Sequence, residues 1–181
     1  MSDPKSDDEQ VKIDAAQAAR EAAAEEGLRR KFLCVVDDSP ECNTAVYYAA
    51  RRARHVGGTV TLLFIIEPGD FQHWASVKEA MAEEARAEAE AIVKGYSDRV
   101  MDVTGHPAEI VIREGDIREE ILAHIGEDDS IAILVLGAAT GKKGPGPLVA
   151  SMAGRDQTSQ FPIPVLVVPG ALSADDIRAL S

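Results

Sequence analysis

The chain has 181 residues, 45% of them apolar and 4% aromatic, enough for one domain with a core of Val, Ile, Leu and Ala. Nineteen Lys and Arg stand against 31 Asp and Glu, a formal net charge of −12. A surface of that sign repels duplex nucleic acid and anionic lipid, which argues against both as partners.

Residues 1–30 form an acidic, Ala-rich extension. The opening MSDPKSDDEQ has no apolar h-region, so no signal peptide is expected, and residues 1–10 read as disorder. Residues 11–26 are rich in helix formers and read as a weakly packing helical arm, stopped at Gly27. Residues 31–170 form the domain and residues 171–181 a tail.

KFLCVV at 31–36 is a near-continuous apolar run, the signature of a strand buried on both faces. Asp37-Asp38-Ser39-Pro40 ends it, with Ser39 expected as N-cap and Pro40 as first helical residue. A helix follows to about His55, stopped by Gly57-Gly58, and TVTLLFII at 59–66 is the second strand. Strand, helix, strand in that span is a right-handed βαβ crossover with parallel strands. From Trp74 a long helix carries Val77, Met81, Ala85, Ala89, Ile92, Tyr96 and Val100 at helical spacing, a stripe read as core packing. Residues 108–113 form a third strand. Asp116 and Glu119 make a capping box for a helix whose Ile117, Ile121, Leu122 and Ile125 face inward. A fourth strand at 131–136 breaks at Gly137 into a loop with Gly141, Gly144 and Gly146, then a short helix at 148–158. Residues 165–168 form the last strand, and Ser173 caps a final turn.

The sum is a doubly wound, five-stranded parallel α/β sheet with helices on both faces. Ligands in such sheets bind beyond the strand C-terminal ends, where strand order reverses. Asp37 and Gly137 would face that crevice if strands one and four are neighbours.

Several chemistries are poorly supported. GAATGKK at 137–143 is one residue short of a Walker A loop, has Lys where Ser or Thr should hold magnesium, and follows strand four. No G-x-G-x-x-G follows strand one. His55, His73, His106 and His124 lie in four segments without ligand spacing, and Cys34 and Cys42 are too few for a disulfide framework or zinc site. Cys42 reads either as buried filler or as a thiol activated by a helix start. Asp37 reads either as turn chemistry or as a ligand contact, Asp38 as a turn residue, and Lys142 and Lys143 either as phosphate partners or as solvated loop. The longest apolar run is too short to span a bilayer. With the cysteine usage, this makes the expected location the cytoplasm.

In order and spacing, these pieces resemble the universal stress proteins over about residues 30–169. FLCVVDDSPECNTAVYYA is similar to that family's V-x-V-D-x-S opening and first helix, TLLFII to its second strand, and REGDIREEIL to its G-x-x-x-x-x-I turn and helix. ILVLG, the glycine loop and PIPVLVVP resemble its C-terminal signature. Members that bind ATP carry G-x2-G-x9-G-[S/T] after strand four. Aligned without a gap, Gly137 takes the first glycine and Ser151 the hydroxyl, while Thr140 and Ala150 stand in place of the second and third glycines. A shifted register through Gly141 and Gly144 reaches Gly154 but puts Arg155 in the hydroxyl slot. Pro145 and Pro147 stiffen the loop and remove two donors.

The resemblance implies an adenine nucleotide, ATP with magnesium among the candidates. Asp37 would contact its adenosine part and Ile65 its adenine, with Gly137 by the ribose. Ser151 would lie by the phosphates, and Thr140, Gly141, Gly144, Ala150 and Met152 complete the implied set. It also implies a homodimer through the strand from Val165 to Val168. Three readings stay open: a nucleotide-binding regulatory module, a partner-binding dimer without nucleotide, and a slow ATP-hydrolysing enzyme.

Overall fold

Lys31–Val35 (β1), Thr59–Ile66 (β2), Glu109–Glu114 (β3), Ile131–Ala138 (β4) and Val165–Pro169 (β5) build one sheet of order β3-β2-β1-β4-β5. Every pairing is parallel. The computed structural model describes residues 30–67, 75–141, 144–152 and 161–181. The expected arm at 11–26, its stop at Gly27, Trp74, and Lys142 with Lys143 lie outside these residues, as does the end of the helix expected at 148–158.

Alternation along the strands sends side chains to two cores. Phe32, Cys34, Val60, Leu62 and Val135 pack on one face against Pro40–Val56 (α1) and Ala75–Thr104 (α2). Leu33, Leu63, Leu134 and Leu136 pack on the other, against Ile121 and Ile125 of Ile117–Glu127 (α3). Leu148 and Val149 of the short Pro147–Met152 (α4) join the second core. Ala174–Leu180 (α5) lies against α1 and buries Ile177. Each fully buried aliphatic side chain contributes about 1.5–3 kcal/mol relative to exposure. The central strands β1, β2 and β4 hold most of them.

Local signals act as the sequence suggests at the starts of α3 and α5 and at the end of α1. Asp116 accepts from the backbone N–H of Arg118 and Glu119, the N-cap half of the box expected there. Ser173 and Asp176 form a reciprocal capping box on α5. Gly57, at φ 68°, ends α1 in the left-handed region.

Four expectations need correcting. Ser39 occupies the N-cap position of α1, but its side chain makes no capping hydrogen bond; its hydroxyl turns to Cys42 Sγ at 3.4 Å. β4 does not break at Gly137; it runs to Ala138, because Gly137 and Ala138 still pair with Val168 and Pro169 of β5. β3 starts at Glu109 rather than at residue 108. The stripe on α2 is not all core: Met81 is 39% exposed, whereas Ala89, Tyr96 and Val100 are buried, and the side chain of Val77 lies outside the described residues. An α-helix of 30 residues is about 45 Å long, more than a sheet of strands this short can cover.

Candidate functional site

β1 continues through α1 to β2, and β4 through α4 to β5, on its other side. The two crossovers diverge between β1 and β4, and a crevice must open there. A cleft of about 130 Å³ occupies this place. Asp37, two residues past β1, and Gly137, near the end of β4, both line it. Ile65 from β2 and Ile117 from the start of α3 line it as well, and Ser39, Glu41 and Cys42 contribute the first turn of α1. Pro145 and Gly146 of the loop, with Leu148 and Val149 of α4, face them.

Gly137 is required by close approach. A Cβ there would stand 2.8 Å from the Glu41 carbonyl oxygen and 3.2 Å from the Cys42 nitrogen. Gly170, just after β5, meets Glu41 in the same way, at 2.8 Å from its Cβ. The start of α1 is therefore seated on the ends of β4 and β5, which fixes where Asp37 emerges.

Asp37 is held on several sides. Its Oδ1 accepts from the Ser39 backbone N–H at 2.8 Å and from the Cys42 thiol at 3.0 Å. The Tyr96 hydroxyl, reaching over from α2, donates to the Asp37 carbonyl at 3.0 Å and lies 3.4 Å from that of Ser39. Partial burial alone would raise the Asp37 pKa, but hydrogen bonds from Ser39 and Cys42 outweigh it and hold the carboxyl below its ordinary value. Asp37 is an anion at neutral pH, and the carboxyl still reaches solvent at the cleft mouth. Burial pushes the Cys42 thiol up to about 12; the Ser39 hydrogen bond opposes this and Asp37 adds to it. Burial, Cys42 and Asp37 push Tyr96 up to about 12 as well. Cys42 and Tyr96 are therefore protonated donors, not nucleophiles. That decides between the two sequence readings of Cys42 in favour of the buried one.

The loop after β4 folds back on itself. The Ala139 N–H donates to the Pro145 carbonyl at 3.2 Å, and the Gly144 N–H to Gly141 at 3.3 Å. The Ala150 N–H donates to Gly146 at 2.9 Å. Gly144 and Gly146 sit at φ 95° and 96°, so the turn itself needs glycine there. Of the residues singled out from the sequence, Asp37, Ile65 and Gly137 come together at the cleft, whereas Thr140, Gly141, Gly144 and Ala150 are exposed and do not line it. Ser151 and Met152 lie at the end of α4. Sequence reasoning missed Cys42 and Tyr96 as holders of Asp37, and missed Glu41, Pro145, Gly146, Leu148 and Val149 as walls. The one available signal was the polar tip of Tyr96 on an otherwise apolar stripe.

An adenine nucleotide is the ligand that the sequence resemblance implies for this cleft. Its nucleoside half matches a carboxylate beside an apolar slot. A phosphate chain would need free backbone donors, and several of those in the loop are already used.

Fold and cleft define a doubly wound α/β protein with an open cleft at its switch point. Residues 28–169 match the model of the universal stress protein family, and the chain belongs to it. Among solved structures it is similar to the universal stress protein UspA from Lactobacillus plantarum, with 18% identity, a TM-score of 0.65, and coverage of 77% of this chain and 97% of that one. The Archaeoglobus fulgidus universal stress protein in complex with dAMP is 18% identical with a TM-score of 0.53, covering 76% and 96%. An Arabidopsis thaliana family protein with AMP bound is 16% identical with a TM-score of 0.53, covering 81% and 94%. At these identities the likeness shows the fold. No curated protein matches the sequence. Among the described residues no helix is long and apolar enough to cross a membrane.

Proposed function

We propose that this chain is a cytosolic binding module of the stress response whose cleft takes an adenine nucleotide through Asp37, ATP with magnesium being one candidate. The observation that carries the reading is an ionised, pre-positioned carboxylate at the β1/β4 switch point, opposite Gly137 and beside Ile65. A carboxylate accepts hydrogen bonds, and the ribose hydroxyls and the adenine amine donate them. Similar structures hold AMP or dAMP, which supports an adenine ligand. Calorimetric titration with ATP, ADP and AMP, with and without magnesium, tests it. Binding that Asp37→Ala abolishes supports the reading; no heat with any of the three removes it.

A second reading is a homodimer that works by protein contact. Among the described residues β5 is an edge strand with exposed Val165 and Val167, and an edge of that kind invites pairing. The two readings are compatible. Hydrolysis of ATP has weaker support: Cys42 and Tyr96 are protonated, and Asp37 is committed to hydrogen bonds. A phosphate-release assay above buffer background would revive it.

A further inference from the structure

We infer that His124 makes one wall of the cleft sensitive to acid: when its ring takes up a proton, the seam between α3 and β3 loosens and displaces Ile117 and Ile65, which line the cleft.

Three observations carry it. First, a single guanidinium closes the seam. Arg113 Nη1 stands 3.3 Å from Glu120 Oε2 and 3.3 Å from Glu127 Oε1. Its Nη2 pairs with Glu127 and lies 3.4 Å from His124 Nδ1. Glu120, His124 and Glu127 follow one another at i, i+4 and i+7, so one stripe of α3 is laid on one side chain of β3. The two carboxylates pin Arg113, which can retreat from a charge on the ring only by leaving them.

Second, the ring has nowhere to put another proton. His124 is 7% exposed, and its Nε2 has no hydrogen-bond partner among the described residues. Arginine only donates, so Nδ1 is the acceptor and the ring is neutral. A proton on Nδ1 turns that hydrogen bond into two cations face to face. The charges around the ring are Arg113 and Glu109 of β3, Glu120 and Glu127 of α3, Asp128 just after α3, and Lys31 of β1. Lys31 holds Glu109 at 2.6 Å and Asp128 at 2.7 Å, and Arg113 holds the other two, so each of the four carboxylates already has a cation. Burial first and the Arg113 charge second keep the ring's pKa below its ordinary 6.5, against the pull of Asp128, Glu109 and Glu127.

Third, the seam leads to the cleft. Ile117, the first residue of α3, stands about two turns before His124 and lines the cleft. Ile65, which also lines it, is the register partner of Arg113 on β2. Both belong to the core that Ile121 and Ile125 of α3 complete. A close-packed core passes a displacement on.

The test needs no ligand, so it stands apart from the nucleotide reading. NMR on the full chain follows the His124 ring, the Ile117 and Ile65 methyl groups and amide exchange between about pH 7.5 and pH 5. Both methyl groups should shift with the midpoint of the His124 ring, below 6.5. Past that midpoint, exchange protection of α3 should fall by about tenfold more than that of α1. His124→Gln, whose amide oxygen can still accept from Arg113 but takes up no proton, should flatten both changes. His106→Gln, at an exposed histidine of another segment, should leave them as they are. Methyl groups that stay fixed while His124 titrates, protection lost equally in both helices, or changes that persist in His124→Gln overturn the inference. A His124 that stays neutral across the whole range overturns it too. The midpoints and the comparison of helices in the natural chain decide the matter even if His124→Gln fails to fold.

Discussion

The Cys42 thiol donates to Asp37 Oδ1 across 3.0 Å, and the Asp37 backbone N–H points back at the same sulfur from 3.5 Å. A buried cysteine thus orients the carboxylate that faces the cleft. Cys42→Ala removes a donor to the anion. The Asp37 pKa should move up toward its ordinary value, and adenine-ligand affinity should fall by about fivefold, the effect of losing a hydrogen bond worth about 1 kcal/mol. Cys42→Ser, which keeps a donor, should restore both. NMR titration of the Asp37 carboxyl with parallel calorimetry checks this; an unchanged carboxyl titration in Cys42→Ala would contradict it.

Thiol chemistry follows from the same burial. Burial and, less strongly, Cys42 hold the Cys34 thiol far above its ordinary value, and Cys42 itself is pushed up to about 12. The thiolate is the reactive form. The native chain at neutral pH should therefore resist a disulfide reagent such as DTNB, and both thiols should react only after denaturation. Rapid labelling of Cys42 in the folded protein would show that the start of α1 opens.

Gly137→Ala places a methyl against backbone atoms of Glu41 and Cys42, which cannot rotate aside as a side-chain tip can. The start of α1 must shift, and Asp37 with it. Overpacking of this kind costs about 1–3 kcal/mol. Urea unfolding should show a lower midpoint at unchanged m, together with weaker adenine binding. The same substitution at Gly126, where an added Cβ meets nothing within 4 Å, is the control.

The fold was legible because its strands are continuous apolar runs. TVTLLFII is bounded by Gly58 and Glu67, and β2 occupies those eight residues. The crossover lengths then leave little choice of topology. Of the expected binding residues, those that line the cleft are Asp37, Ile65 and Gly137, which sit at or just past strand ends and inherit their place from the sheet. Where the chain leaves regular structure, residue type carries less information. Gly141 and Gly144 signal a turn or a phosphate cradle equally well, and only coordinates show that the Gly144 N–H is spent on Gly141. Tyr96 illustrates a different limit. Its ring belongs to the apolar stripe, and nothing in sequence tells that its hydroxyl reaches a carbonyl 59 residues earlier.

β5 gives a prediction about assembly. Val165 and Val167 are 36% and 41% exposed on a strand that, among the described residues, is paired on one side only. Pairing of two such edges across a two-fold would cover them. The chain should sediment as a dimer, and Val167→Lys should shift it to monomer, since charge on an edge opposes strand addition. A native monomer, or a dimer that survives Val167→Lys, would place the interface elsewhere or nowhere.

His124 predicts the sign of a pH effect. Its Nδ1 lies 3.4 Å from Arg113 Nη2, and arginine can only donate, so Nδ1 is the acceptor and Nε2 carries the proton. That Nε2 is buried and has no hydrogen-bond partner among the described residues. Burial first, then the Arg113 charge, lowers the His124 pKa; Asp128, Glu109 and Glu127 pull the other way without prevailing. A depressed pKa in the folded state means that the unfolded chain takes up the proton first. This contribution is whole above the unfolded value of about 6.5 and is lost as pH falls toward the folded value. Urea midpoints should therefore drop between about pH 7 and pH 5 in the native chain, and drop less in His124→Gln, which has no ring proton to gain. Carboxylates held low, such as Asp128 beside Lys31, act only further down, below their ordinary value of 3.8. Equal slopes for the two proteins across that interval would show that Arg113 moves aside when His124 charges.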